Sequence, residues 1–149
     1  MCEKTTYEQQ LLTQGVLYDT TRGSSMRPFL RSGEDIMVIT RKGAERCGIY
    51  DAILYRRSNG QYVLHRIVGV GPDGYILRGD NCIRREYGIA DDQVLGVLTG
   101  VIRKGRQMDV NSRGYRLAVK LWCQTHGLRL PWLCLREILW RRKQRKNTP

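Results

Sequence analysis

Apolar residues recur along this chain with two different periods, and the change near Asn111 divides it. Before that point, short runs rich in Val, Ile, Leu and Tyr predict strands at residues 16–20, 35–40, 51–56, 62–70, 75–78 and 94–103. The breaks between them hold RSGE, SNG and GPDG, which are turn chemistries. Asn59-Gly60 between two such runs predicts a hairpin, because both residues accept the backbone conformation a tight turn demands. Ahead of the strands, Thr5 and Glu8 have capping-box spacing, Leu11 and Leu12 follow, and Gly15 closes a helix over about residues 5–15. After Asn111, "YRLAVKLWCQTH" and "PWLCLREILWRRK" space their apolar residues for helices. Gly127 is expected to stop the first, and Pro131 to lie in the first turn of the second. The expectation is a mainly β, antiparallel body over residues 1–112 with a helical hairpin over 113–149.

Composition refines that picture. A hydrophobic content of 41% suits a folded core, and sixteen glycines favour a turn-rich β structure. The net charge of +12 is uneven: residues 113–149 hold ten Lys and Arg against Glu137, so +9 of it lies there. No run of 18 apolar residues predicts a membrane span, and MCEKTTYEQQ has no apolar core of a signal peptide. The five cysteines, at 2, 47, 82, 123 and 134, are odd in number and form no CxxC pair, which predicts reduced thiols in a cytoplasmic protein. Cys123 and His126 lack a second ligand pair, so no metal or other cofactor is expected.

Three stretches carry candidate chemistry: Ser25 within "GSSMRPF", His65 within "VLHRIVGV", and Asp80 within "LRGDNC", followed by Glu86. A serine hydroxyl needs a positioned base to become a nucleophile, an imidazole suits that task at neutral pH, and a carboxylate can orient the imidazole. Each stretch alone has a commoner structural explanation: a capped turn, a core histidine, a tight turn after a strand.

Their order and spacing add to this. Gly23, Ser25, Met26 and Pro28, then Leu30 and Gly33, then HRIVGV at 65–70, RGDN at 78–81 and VLGV at 94–97 together resemble the type I signal peptidases. More broadly they resemble the serine peptidase superfamily that includes LexA-like repressors, over residues 20–103. His65 stands where most bacterial members have a lysine, which resembles the histidine-base branch. The resemblance implies a coiled, mostly antiparallel β fold, with Ser25 as nucleophile and His65 as base. It also implies support for His65 from Asp80 and from the acidic position six residues on, here Glu86, with Asp80 the direct partner because it keeps the family residue. At Gly23 several relatives have a serine that helps bind the oxyanion. Here that task would fall to backbone N–H groups of the turn, chiefly that of Ser25, with Gly23 and Ser24 kept small for close approach. The family's N-terminal membrane anchor is missing from this sequence.

The expected activity is cleavage of an extended signal- or leader-type peptide added to a sheet edge. A non-catalytic adaptor with the same fold and a self-cleaving LexA-like regulator are the alternatives. The second has no room for a DNA-binding domain before residue 20. Residues 113–149, with Trp122, Trp132 and Trp140 among leucines and Arg141, Arg142, Lys143, Arg145 and Lys146 following, suit peripheral attachment to an anionic membrane surface. Nucleic acid ranks below it as a partner, because no reading motif or stacking platform accompanies the charge.

Overall fold

The computed structural model describes residues 6–146. The fold is mainly β, with eight antiparallel strands: β1 (Val16–Thr20), β2 (Asp35–Arg41), β3 (Ala52–Arg56), β4 (Tyr62–Gly71), β5 (Gly74–Arg78), β6 (Glu86–Ile89), β7 (Val94–Arg103) and β8 (Arg106–Asp109). They form one sheet in the order β1-β2-β7-β3-β4-β5-β6, with β8 also on β7. Since β2 lines one edge of β7 from residue 96 to 103, β3 (at 94–97) and β8 (at 100–103) share the other. Register shifts within the β2–β7, β3–β7, β4–β5 and β5–β6 pairings bend the sheet.

The bend gives two cores. Leu17, Met26, Leu30, Ile39, Leu54 and Leu98 belong to one; Ile53, Tyr55, Ile67, Tyr75 and Leu77 belong to the other. β3 lies between them. Its residues alternate faces, so Ala52 and Leu54 enter the first core while Ile53 and Tyr55 enter the second. That is why "AILY" is a continuous apolar run rather than an alternating one. Each large side chain so buried contributes about 1.5–3 kcal/mol. The β3–β4 link is the expected hairpin: Gly60 has φ +84°, and Arg57 N–H donates to the Gln61 carbonyl at 2.9 Å.

Two strands escaped the sequence pattern. "EYGI" and "RQMD" are short and mostly polar, and backbone pairing with β5 and β7 makes them strands. The first helix, α1 (Tyr7–Gln14), is capped by Thr6 and Gln9, one residue later than the Thr5–Glu8 spacing suggests; Thr5 lies outside the described residues. Gly15, at φ +72°, closes it.

The hairpin comprises α2 (Arg113–Gln124) and α3 (His126–Lys146). Gly127 does not stop α2; it is already inside α3. Thr125 makes the break, its hydroxyl donating to the Leu121 carbonyl at 2.7 Å. Pro131 consequently sits within α3 rather than in its first turn. Val119 and Leu133 are buried, and Arg116 pairs with Asp51 of the body at 2.6 Å. Among the described residues no helix is long and apolar enough to cross a membrane.

Candidate active site

The turn between β1 and β2 carries Ser25. Gly23 holds φ +83°, a conformation side-chain-bearing residues rarely adopt, yet a Cβ there would meet nothing within 4 Å. Backbone conformation therefore favours glycine at 23. Met26 and Leu30 plunge into the first core, and Leu30 N–H returns to the Met26 carbonyl at 2.9 Å. Phe29 meets Tyr115 (5.5 Å between ring centres) and Trp122 (6.1 Å) edge-on, and the Arg66 guanidinium lies 5.2 Å from its ring centre. Asp35, fully buried, accepts from Arg103 at 2.6 and 2.8 Å, and Arg103 also donates to the Phe29 carbonyl at 3.2 Å. So anchored, the turn leaves Ser25 half-buried on the wall of a ≈ 380 Å³ cleft whose lining includes Met26, Leu54, Tyr62, Leu64 and His65.

His65 comes from β4 and is 9% exposed. Its Nδ1 lies 3.2 Å from Glu86 Oε1 and 3.4 Å from the Tyr55 hydroxyl. With Nδ1–H donating to the carboxylate, Nε2 is left as an acceptor, the tautomer a general base needs. Nε2 faces Gly79: a Cβ at that glycine would stand 3.1 Å from His65 Nε2 and 2.8 Å from the Ser25 carbonyl oxygen. Only a bare Cα lets the histidine and the serine turn converge there. Ser25 Oγ makes no hydrogen bond among the described residues; such bonds often tighten only when substrate is bound.

The acids are exchanged relative to expectation. Asp80 does not reach His65. It is buried against Arg66, accepting from Nε at 2.6 Å and from the second guanidinium nitrogen at 2.8 Å. The Trp122 indole donates to the Asp80 carbonyl at 2.8 Å. Asp80 is a structural anchor beneath the site, and Glu86 is the acid in contact with the imidazole. Arg57 holds Glu86 through both oxygens, with Nε at 2.9 Å from Oε2.

Charges follow from this geometry. Burial pushes the His65 pKa below the ordinary imidazole value, and Arg57 adds to that; Glu86 and, less strongly, Asp80 oppose it without cancelling it. Burial alone would raise the Glu86 carboxyl, but hydrogen bonds from Arg57 and Tyr55 outweigh it and hold the carboxyl below its usual range. Glu86 therefore remains an anion beside a largely neutral imidazole at pH 7. Burial chiefly, and then the Glu86 hydrogen bond, raises the Tyr55 phenol, which stays protonated as a donor.

Sequence reasoning singled out Ser25, His65 and both acids, of which Asp80 does not reach His65, and it missed the residues around them. Tyr55, Arg57, Arg66, Gly79 and Asn81 lie in strands or turns with no local signature, apart from Gly79 and Asn81 inside the RGDN stretch. Asn81 N–H donates to the Ser25 carbonyl at 2.8 Å and its side chain to the Ser24 carbonyl at 3.1 Å, fastening the two turns together. Cys47, Cys82, Cys123 and Cys134 are free thiols, and Cys2 lies outside the described residues. No cluster of three metal-ligating side chains occurs among the described residues, and His126 Nδ1 is buried without a partner. No protein-family model, curated protein or solved structure matches the chain.

Proposed function

We propose that this protein is a serine endopeptidase resembling the histidine-base type I signal peptidases, cutting an extended signal- or leader-type peptide. The observation that carries this is the Glu86–His65 contact at 3.2 Å on Nδ1, with Nε2 turned toward the Ser25 turn. His65 takes the proton of Ser25 as Oγ attacks the scissile carbonyl, and the tetrahedral oxyanion is held by the Ser25 backbone N–H. His65 then passes that proton to the leaving amine, and water releases the acyl group by the same route. Residues 62–65 of β4 pair with β3 on one side only, because β5 pairs with β4 from residue 66 onward. That free edge borders the cleft and suits an extended peptide added as a strand.

The test is labelling with a small fluorophosphonate. Ser25 is expected to be modified in the full chain, and His65→Ala is expected to react far more slowly. Absence of labelling from a folded protein would favour the adaptor reading.

The described residues also support a partner of a second kind, an anionic membrane surface. Leu128, Trp132, Leu135 and Leu139 recur four, three and four residues apart on α3, each more than half exposed, and Arg141, Arg142, Lys143 and Arg145 follow. An exposed apolar stripe beside cations suits an interfacial helix, each cation contributing about 1 kcal/mol near anionic lipid. Flotation with anionic vesicles should recover the full chain at low salt and lose it at high salt. Recovery independent of salt and lipid charge would leave the stripe without this role.

A further inference from the structure

Ser25 borders two cavities. One is the cleft that leads to His65 and the free edge of β4. The other, a ≈ 680 Å³ groove, shares Ser25 with the cleft and no other lining residue. Ser24, Ser25 and Arg27 form one wall, Leu133, Arg136 and Trp140 of α3 form the other, and Cys82 and Ile83 lie between them. The groove continues past Ile83 and Glu137 into a shallower ≈ 300 Å³ hollow against Cys134 and Ile138. That size is in the range of ligand-binding clefts and admits several side chains.

The helical wall is fastened to the nucleophile turn. Arg136 donates to the side-chain oxygen of Asn81 at 2.8 Å and to its carbonyl at 2.9 Å. Asn81 in turn donates to the carbonyls of Ser24 and Ser25. α3 and the serine turn are thus held at a fixed spacing by one side-chain relay. The chemistry of the lining is uneven. Ile83, Leu133 and Trp140 give an apolar interior, with Leu133 buried and Trp140 exposed. On the rim, Arg27 and Arg84 are exposed, Arg136 is occupied by Asn81, and Glu137 is paired with Arg141. The rim is therefore positive.

From this we infer that the α3 groove binds the half of the peptide lying across the scissile bond from the half paired with β4. The segment it takes has a large apolar side chain beside the scissile bond and acidic residues around it. The inference rests on the peptidase reading, and it gives α3 a role in choosing the substrate: a peptide crossing Ser25 must leave the first cleft, and this groove is the second cavity that Ser25 lines, with an apolar interior.

The experiment uses the full chain with internally quenched peptides varied on both sides of the cleaved bond, and fluorophosphonate labelling run in parallel. Wild type is expected to favour large apolar residues on one side by about tenfold or more in kcat/KM. Trp140→Ala should reduce that preference, leave the preference on the other side intact, and still be labelled at Ser25. Arg84→Glu should turn a preference for acidic neighbours into one for basic neighbours. Trp140 and Arg84 are both exposed, so the fold should survive each change, as thermal melting would verify. Peptides cleaved with the same selectivity by wild type, Trp140→Ala and Arg84→Glu would overturn the inference while leaving the peptidase intact. A wild type that is neither labelled nor active would overturn both.

Discussion

β3 and α3 both carry apolar runs, and they treat them in opposite ways. Every residue from 52 to 55 in β3 is buried, whereas Leu128, Trp132, Leu135, Leu139 and Trp140 of α3 are each more than half exposed. The strand wall of the site holds Tyr55 on β3, His65 on β4 and Glu86 on β6, with Tyr55 and His65 buried and Glu86 only partly so. The helical wall touches the site through a few contacts: Trp122 donates to Asp80, Arg136 donates twice to Asn81, and Tyr115 and Trp122 meet Phe29 edge-on. A side chain packed on all sides keeps one position, and proton transfer requires that. A helix with an open apolar face keeps its capacity to bind something else. On the proposed peptidase reading, chemistry would belong to the strands and recognition to the helices.

The strongest way to break this division is at the reacting pair. Ser25→Ala and His65→Ala should each lower kcat by about 10⁴-fold or more, and the double variant little further, because the pair acts as a unit. Additive losses in single-turnover assays would mean that the two act separately.

The acids sharpen it next. Asp80→Asn leaves the buried Arg66 without its counter-charge and should destabilise the protein by about 3–5 kcal/mol, read as a lower urea midpoint. Glu86→Gln should leave the midpoint nearer wild type and lower kcat on the order of 10²- to 10⁴-fold by loosening the His65 tautomer. The reverse split would return Asp80 to the imidazole.

A smaller effect is expected at Gly79. The added methyl of Gly79→Ala would press on Cys82, the Ser25 carbonyl and His65 Nε2, and a displacement of about 1 Å costs roughly 10²-fold in rate. Unchanged kcat would show that the serine turn and the histidine can separate without penalty.

The smallest is a shift in pH dependence. With His65 as the proposed base, activity should rise with pH through the imidazole pKa, which burial holds below the ordinary value of about 6.5. Glu86→Gln removes the charge that favours the protonated ring, so its residual activity should persist to still lower pH. A midpoint above 6.5, or a shift toward alkaline pH in the variant, would contradict the burial assignment.

Periodicity and turn chemistry determined much of this protein. Strands β1 and β7 match the pattern end to end, and β2, β3, β4 and β5 to within a residue, because their apolar residues are the ones that cores select. Ser25 and His65 were singled out by the order and spacing of their motifs, since each stretch alone has a commoner structural explanation. The partner of each charge was decided only by tertiary structure. His65 and Arg66 are adjacent in β4 and so point to opposite faces of the sheet. Asp80 follows β5 and meets the Arg66 face; Glu86 opens β6, a strand too short and polar to announce itself, and meets the His65 face. Spacing along the chain is blind to that choice, since the face a side chain takes is set by register with a neighbouring strand. The place of α3 beside the serine turn has the same origin: an arginine among ten cations at the C-terminal end finds Asn81 only once the hairpin has packed.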